Sequence, residues 1–288
     1  MKTNHGIWRK VMFALSFLCI TNTLVAQKKV EFNVWPDGAP NTNGLQPNED
    51  EKKNDFPSKI VTPTLTVHVA NKPNGKAILC CPGGGYSLVA MNLEGNDMAA
   101  WLNSQGYTLA VLKYRMPNGN DEVPLSDALQ AMRIMRQHSE EWKISKIGIM
   151  GASAGGHLAS TAATHYTEDS RPDFQVLFYP VISMQADITH RGSRENLIGK
   201  NPSEELVNKY SNELHVNAQT PPAFILHSSD DGGVPVENSI RYYQALVKNR
   251  VPVALHCYPI GGHGWGYRDS FPYKHEWKGE LEKWLREL

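Results

Sequence analysis

The sequence predicts an α/β fold in which a mostly parallel central sheet is covered by helices on both faces. From about residue 60 onward, short apolar runs alternate with amphipathic segments, as expected when strands alternate with crossover helices. Most of these runs are apolar throughout, which is typical of strands that are buried on both sides. A chain of 288 residues is compatible with one large α/β domain.

The elements can be predicted in order along the chain. "TLTVHVA" alternates like a half-exposed strand, and the buried strands are "KAILCC", "TLAVLKY", "KIGIM", "FQVLFYP", "AFILHSS" and "VALHCYP". Helices are expected at 94–105, 125–142, 154–165, 236–248 and 273–288. Two segments interrupt this alternation of strands and helices. The polar stretch 183–220 has short helical pieces and no strand, which predicts a small cap or rim insertion, and 35–57 is expected to wrap the domain as a loop.

The first 26 residues are typical of a signal peptide. Lys2, Arg9 and Lys10 precede the apolar run "VMFALSFLCI", and cleavage is expected after Ala26. The apolar run is about half of the ~20 residues that a membrane span requires. We therefore expect export to the periplasm or the medium, no stable membrane span, and a mature domain formed by 27–288.

Composition excludes several classes of function. Lysine plus arginine and aspartate plus glutamate number 29 each, and the formal charge is zero, so nucleic acid is not an expected partner. Neither a metal-ligand spacing nor a dinucleotide or phosphate-loop motif is present, and no cofactor is expected. Cys80, Cys81 and Cys257 are predicted to be small buried hydrophobic residues.

One serine stands in a stretch of very small residues, "KIGIMGASAGGHLAS". Gly151, Ser153 and Gly155 form a G-x-S-x-G pattern after a predicted strand and before a predicted helix. A sharp strand-to-helix turn at this point would expose the hydroxyl at the carboxyl edge of the sheet, where ligands bind in parallel sheets. Ser153 is therefore the candidate nucleophile.

The partners of this serine are expected on loops at the same sheet edge. "HSSDDGGVP" and "GGHGWG" each follow a predicted strand, in the chain order serine, acid, histidine. His263 is the candidate base, and His157 is a weaker alternative that is better explained by packing. The acid that orients the base is either Asp230 or Asp231.

A glycine-rich loop after "KAILCC" reads "PGGGY" and is the candidate oxyanion hole. The backbone N–H groups of Gly84, Gly85 and Ala154 are the expected donors. Three aromatic residues on loops, Trp35, Tyr86 and Trp265, are candidates for stacking on a sugar at the pocket rim, although ordinary packing is the alternative.

Five ordered motifs carry a family resemblance: "CPGGGY", "LKYR", "IGIMGASAGGHLAS", "DDGGVPVENS" and "GGHGWG". From about residue 60 to the end, the chain resembles the serine esterases of the α/β-hydrolase superfamily, in the bacterial carbohydrate esterase branch that includes acetylxylan esterase-like proteins. Pro82 replaces the histidine of the His-Gly-Gly-Gly motif in lipase-like relatives, which favours the carbohydrate branch. The resemblance implies an α/β-hydrolase fold, and it selects Asp231, three residues before Val-Pro, as the acid.

The expected function is that of an exported serine esterase acting on short acyl esters, above all acetyl esters, of plant-type polysaccharides. The expected partner is therefore an acylated carbohydrate. Feruloyl esterase and general short-chain carboxylesterase or lipase-like activities would use the same residues. A peptidase is disfavoured, because the chain has no room for a large propeller domain, and a catalytically inactive binding protein is the remaining alternative.

Overall fold

The computed structural model describes residues 28–288, and the strands in this range form one eight-stranded sheet. The strands are β1 (Lys28–Asn33), β2 (Thr64–Val69), β3 (Lys76–Cys81), β4 (Thr108–Lys113), β5 (Lys146–Ala152), β6 (Gln175–Phe178), β7 (Ala223–Ser228) and β8 (Val253–Tyr258). Their order in the sheet is β1-β2-β4-β3-β5-β6-β7-β8. Strands β3 to β8 run parallel, and β1 and β2 form an antiparallel edge.

Seven α-helices connect or flank the strands within 28–288. They are α1 (Ala99–Ser104), α2 (Glu122–Gln137), α3 (Ala154–Thr164), α4 (Arg191–Ile198), α5 (Glu204–Lys209), α6 (Glu237–Lys248) and α7 (Lys274–Glu287). Every residue of β7 is buried, as is every residue of β3 after the first. Because adjacent strand residues face opposite sides of a sheet, both faces of these strands are covered. The prediction of an α/β fold with a mostly parallel sheet is confirmed.

The N-terminal segment wraps the domain, as predicted, through a buried ion pair. Arg115 and Asp127 pair at 2.7 Å with almost no solvent exposure. Asn41 accepts a hydrogen bond from the Arg115 guanidinium at its carbonyl oxygen, 2.7 Å away. The Trp35 indole N–H donates to Asp127 Oδ1, also over 2.7 Å. The segment is therefore fixed to the corner between β4 and α2.

Some boundaries differ from the predictions. β1 was not predicted, although its Val30 and Phe32 alternate with polar residues. Helix α2 begins at Glu122, three residues earlier than expected, since Pro124 falls in the first turn, where no N–H is needed. The predicted helix 94–105 is a 3₁₀ turn at Asn96–Met98 followed by α1.

The structure can also be compared with the predictions for the cysteines and for the cap segment. Cys80 and Cys81 are buried as expected, but Cys257 is exposed, because β8 is the edge strand and is only partly covered. The cap segment, residues 183–220, contains α4, α5 and a 3₁₀ turn, Asn212–Leu214, and no strand. None of the helices formed by residues 28–288 is long and apolar enough to cross a membrane. The predicted signal peptide, 1–26, lies outside the described residues.

Candidate active site

Ser153 occupies a sharp turn between β5 and α3. Its backbone has φ 53° and ψ −121°, a conformation that side chains rarely adopt. The flanking glycines are required sterically: a Cβ on Gly151 would lie 2.1 Å from the carbonyl oxygen of Gly155, and a Cβ on Gly155 would lie 2.0 Å from that of Cys81. The absence of side chains at these positions lets the turn close and leaves the hydroxyl at the sheet edge.

His263 lies within hydrogen-bonding distance of the serine. Its Nε2 is 2.8 Å from Ser153 Oγ, and its Nδ1 is 2.6 Å from Asp231 Oδ2. A carboxylate only accepts, so Nδ1 carries the proton and Nε2 is free to accept from the serine. The residues that the sequence selected from three separate loops thus form one continuous hydrogen-bonded chain.

Asp231 is buried and held as an anion. Its Oδ1 accepts from the N–H groups of Gly233 and Val234, each at 2.8 Å, and His227 lies 3.3 Å from Oδ2. Burial alone would raise the pKa of this carboxyl, but the hydrogen bonds from His227, His263 and the backbone outweigh it and hold the pKa well below its usual range. The carboxylate can therefore orient the imidazole and stabilise its protonated form.

The neighbouring Asp230 points elsewhere. Its carboxylate accepts from the N–H groups of Gly261 and Gly262, at 3.2 and 2.8 Å. These glycines immediately precede His263. Of the two open candidates for the acid, Asp231 contacts the imidazole, whereas Asp230 holds the loop that carries it.

Hydrogen bonds to the carbonyl oxygens of the preceding residues orient the predicted oxyanion donors. The carbonyl of Gly83 accepts from Ala90 N, and that of Gly84 accepts from Ser87 N, at 2.9 and 3.0 Å. In a trans peptide the next N–H points away from such a carbonyl, so the N–H groups of Gly84 and Gly85 face away from these anchors. Both glycines line the cleft that contains Ser153.

The Ala154 donor is oriented in the same manner. The carbonyl of Ser153 accepts from the N–H groups of His157 and Val181, at 3.0 and 3.1 Å. Its partner N–H, that of Ala154, points away from both at the start of α3, where the helix dipole favours negative charge. The three predicted donors thus lie beside Ser153, two in the loop after β3 and one at the start of α3.

A cleft of about 410 Å³ surrounds these groups, a volume within the range of small-molecule sites. Ser153, His263, Gly84 and Gly85 lie on its wall. The other lining residues are Phe56, Ser87, Leu88, Ala90, Leu93, Glu94, His190, Gly264 and Arg268. Within residues 28–288 there is no cluster of three or more histidine, cysteine or acidic side chains able to hold a metal ion.

Comparison with known proteins identifies the family. The sequence profile of the BD-FAE family matches residues 65–246. The chain belongs to the BD-FAE family of α/β-hydrolases. A crystal structure of an acetyl ester-xyloside bifunctional hydrolase from Caldicellulosiruptor lactoaceticus is 37% identical, has a TM-score of 0.76, and aligns over 90% of this chain and 96% of that one.

Two curated relatives of this BD-FAE chain are longer proteins. An acetylxylan esterase from Xylanibacter ruminicola is 40% identical over 230 residues, which are 78% of this chain and 48% of the relative. Endo-1,4-beta-xylanase B from Butyrivibrio fibrisolvens is 34% identical over 204 residues, 65% of this chain and 32% of the relative. The chain therefore spans less than half the length of either relative. The resemblance stated from the sequence motifs is confirmed.

The three aromatic residues expected at the rim of the BD-FAE site do not lie there. Trp35 is bonded to Asp127 at the wrapped corner. Trp265 is 3% exposed and stacks on Phe271, with ring centroids 4.1 Å apart. Tyr86 is also 3% exposed, and its ring faces the protein interior. The prediction that these rings stack on a sugar is wrong, because internal hydrogen bonds and ring packing occupy them.

His157, the weaker candidate for the base, is a buried packing residue, which is the explanation that the sequence favoured. Its Nε2 lies 2.8 Å from the carbonyl of Tyr210 and must donate to it, so its Nδ1 accepts from the Tyr86 hydroxyl, also at 2.8 Å. Burial lowers its pKa to about 4. Both nitrogens are occupied in the interior, and the ring is neutral near pH 7.

Two buried residues beside the BD-FAE site were missed in the sequence. Glu94 accepts at Oε2 from Gly83 N and at Oε1 from the Tyr179 hydroxyl, each at 2.7 Å. Tyr179 OH in turn accepts from Gly266 N at 2.9 Å, and its ring edge packs on His263. Burial raises the pKa of Glu94 despite these bonds. The only sequence signal was an acidic residue at the start of a predicted helix.

Other cleft residues come from segments without a motif. Phe56, at the end of the wrapped loop, is 50% exposed and lines the cleft. His190 comes from the cap segment, and Arg268 from the loop after His263. A hydrophobic ring that is this exposed beside candidate catalytic residues was not recognisable from its local sequence, "NDFPS".

Proposed function

We propose that this chain is a serine esterase that hydrolyses short-chain acyl esters, foremost acetyl esters, on plant-type polysaccharides. The observation that carries the proposal is the unbroken hydrogen-bonded chain from Asp231 through His263 to Ser153. The substrate class is supported by the relatives, which are named acetylxylan esterase, xylanase and acetyl ester-xyloside hydrolase. The expected partner is thus an acylated carbohydrate.

The proposed reaction has two steps that use the same groups. Ser153 Oγ attacks the ester carbonyl while its proton passes to His263 Nε2, and the oxyanion is stabilised by the N–H groups of Gly84, Gly85 and Ala154. The carbon–oxygen bond to the sugar then breaks, and the leaving oxygen takes the proton from the imidazole. A water molecule gives its proton to Nε2 and attacks the acyl-enzyme, which releases the acid and restores Ser153.

The decisive experiment measures acetate released from acetylated xylan by the wild type and by Ser153→Ala. We expect the substitution to reduce kcat by about 10⁴- to 10⁶-fold. Ser145→Ala is the matched control, because Ser145 precedes the opposite end of β5 and bonds only to Gly75. Wild-type rates in Ser153→Ala would mean that the hydrolysis arises elsewhere, which would contradict the mechanism. A wild type without any esterase activity would instead favour an inactive hydrolase fold that serves in binding.

Acyl-chain preference tests the substrate class separately. An acetyl esterase should turn over p-nitrophenyl acetate faster than p-nitrophenyl octanoate, and it should release more acetate than ferulate from a polysaccharide that carries both esters. Faster turnover of the octanoate would instead indicate a lipase-like carboxylesterase, and preferential ferulate release a feruloyl esterase.

Export is part of the proposal and is supported by the N-terminal sequence. The charged start, the apolar run and the small residue at Ala26 are those of a cleaved signal peptide. Expression of the full chain in a Gram-negative host, followed by mass spectrometry of the mature N-terminus, tests this. A protein that retains residue 1 and stays with the cytoplasmic fraction would contradict export.

A further inference from the structure

A second histidine, His190, lies in the cleft and takes no part in the mechanism described above. It is the residue before α4, and its Nδ1 accepts a hydrogen bond from the backbone N–H of Ser193 at 3.2 Å. The Ser193 hydroxyl lies 2.8 Å from the same nitrogen. His190 thus caps the N-terminus of a cap-segment helix with its ring instead of with the usual small polar side chain.

This cap fixes the tautomer of the imidazole. A backbone N–H can only donate, so Nδ1 must be unprotonated, and the single ring proton of the neutral form resides on Nε2. The positive end of the α4 dipole further disfavours a proton on Nδ1. Burial and the nearby His263 lower the pKa of His190. Near neutral pH the ring is therefore an N–H donor at Nε2.

The ring of His190 lies beside the candidate oxyanion loop. A Cβ placed on Gly85 would lie 3.8 Å from His190 Cε1, the carbon between the two ring nitrogens. Helix α4 is held against this loop by Asn196, whose side-chain amide donates to the Gly85 carbonyl at 2.8 Å. Within residues 28–288, no acceptor is within hydrogen-bonding distance of His190 Nε2. His190, with its N–H free, thus lies on the wall of the cleft that contains Ser153.

We propose that His190 binds the carbohydrate side of the substrate, by donating its Nε2 proton to a hydroxyl oxygen next to the ester on the sugar ring. The inference rests on the proposed esterase function and adds a specificity-determining residue to it. A sugar ester carries such vicinal hydroxyls, whereas an aryl ester carries none. His190 would then favour sugar esters without assisting the chemistry on the acyl group.

The test compares two small substrates and two variants of His190. One substrate is a methyl β-xyloside with a single acetyl ester beside a free hydroxyl, and the other is its deoxy analogue, in which hydrogen replaces that hydroxyl. The variants His190→Asn and His190→Ser keep a side chain that can cap α4 but remove the ring donor. Acetate release gives kcat/KM for each pair, and p-nitrophenyl acetate serves as the ester without a sugar.

The wild type should prefer the hydroxyl-bearing xyloside by about three- to tenfold, the effect of one hydrogen bond. Both variants should lose this preference and hydrolyse p-nitrophenyl acetate at wild-type rates. His215→Asn is the matched control, because His215 is also in the cap segment but bonds to the Asn208 carbonyl; it should keep the preference.

Two results would overturn the assignment. A wild type that does not distinguish the xylosides shows that nothing in the cleft uses the hydroxyl. Variants that lose activity equally on all three esters show that His190 only supports the fold of the loop. A different result would contradict the proposed function itself: a wild type that hydrolyses p-nitrophenyl acetate but neither xyloside. His190 would then have no sugar ester to bind.

Discussion

Replacing Asp231 and Asp230 separately by asparagine tests the central geometry most directly. In Asp231→Asn, the orientation of the amide is dictated by the backbone, because the N–H groups of Gly233 and Val234 both require the oxygen at the Oδ1 position. The NH₂ group then occupies the Oδ2 position, 2.6 Å from His263 Nδ1. Two donors cannot share that contact.

The imidazole must therefore adopt the other tautomer. Its Nδ1 would accept from the new amide, and its proton would move to Nε2, which can then no longer accept from Ser153. We expect kcat to fall by about 10⁴-fold, as for the loss of the correct tautomer in other serine hydrolases. At about 1.36 kcal/mol per tenfold change, this raises the barrier by roughly 5.4 kcal/mol.

Asp230→Asn is the matched control, with the same chemistry one residue away. An asparagine can still accept at one oxygen from Gly262 N–H, and it loses only the 3.2 Å bond to Gly261. The loop that carries His263 should loosen slightly, and kcat should fall by less than about tenfold, in line with one lost hydrogen bond. The assay is p-nitrophenyl acetate hydrolysis, with circular dichroism as the control for folding.

Two outcomes would refute this reasoning. Equal losses in the two variants would mean that the orientation of the His263 loop, and not the tautomer, limits the rate. An Asp231→Asn variant that keeps more than a tenth of the wild-type kcat would mean that the carboxylate is not needed to orient the base.

Fold stability offers three further tests, each followed by urea unfolding. Gly155→Ala should strongly destabilise the protein and abolish activity, since its Cβ would lie 2.0 Å from the Cys81 carbonyl; a wild-type midpoint would contradict this. Arg115→Leu leaves the buried Asp127 carboxyl without its ionic partner, and should cost about 3–5 kcal/mol, so an unchanged free energy of unfolding would contradict it. Burial lowers the pKa of His157 to about 4, below the ~6.5 of an unfolded histidine. The unfolded chain thus binds more protons at this residue between these values, and His157 alone should lower stability by about 3 kcal/mol as pH drops from 6.5 to 4. His157→Gln should reduce this fall, and an identical pH dependence in wild type and variant would refute the assignment.

The sheet and the sharp turn at Ser153 could be predicted because local sequence determines them. The apolar run "KAILCC" is buried on both faces in the centre of the sheet, and the turn at Ser153 has steric demands that only glycine meets on either side. By contrast, β1 carries only two alternating apolar residues, Val30 and Phe32, and gains its structure from pairing with β2. Its pattern was too short to stand out.

The side chains that line the cleft outside the motifs could not be predicted, because the direction of a loop side chain is set by distant contacts. Trp35 is turned inward by Asp127, and Tyr86 by His157, both far away in sequence. Phe56 and His190 reach the cleft from the wrapped loop and from the cap segment. Two of the three predicted aromatic residues, Tyr86 and Trp265, lie within motifs, whereas the exposed ring of Phe56 belongs to a segment without any motif.

The accuracy of the site depends on a buried link between its two halves. The candidate oxyanion loop follows β3 and the loop with His263 follows β8, and these two strands are not neighbours in the sheet. Glu94 joins them, because it accepts from Gly83 on one side and from Tyr179 on the other, and Tyr179 accepts from Gly266. In a buried chain of this kind each unmade bond leaves an unsatisfied polar group. A shift of either loop is therefore opposed at the other, which would keep the proposed base and the proposed oxyanion donors aligned on one carbonyl carbon.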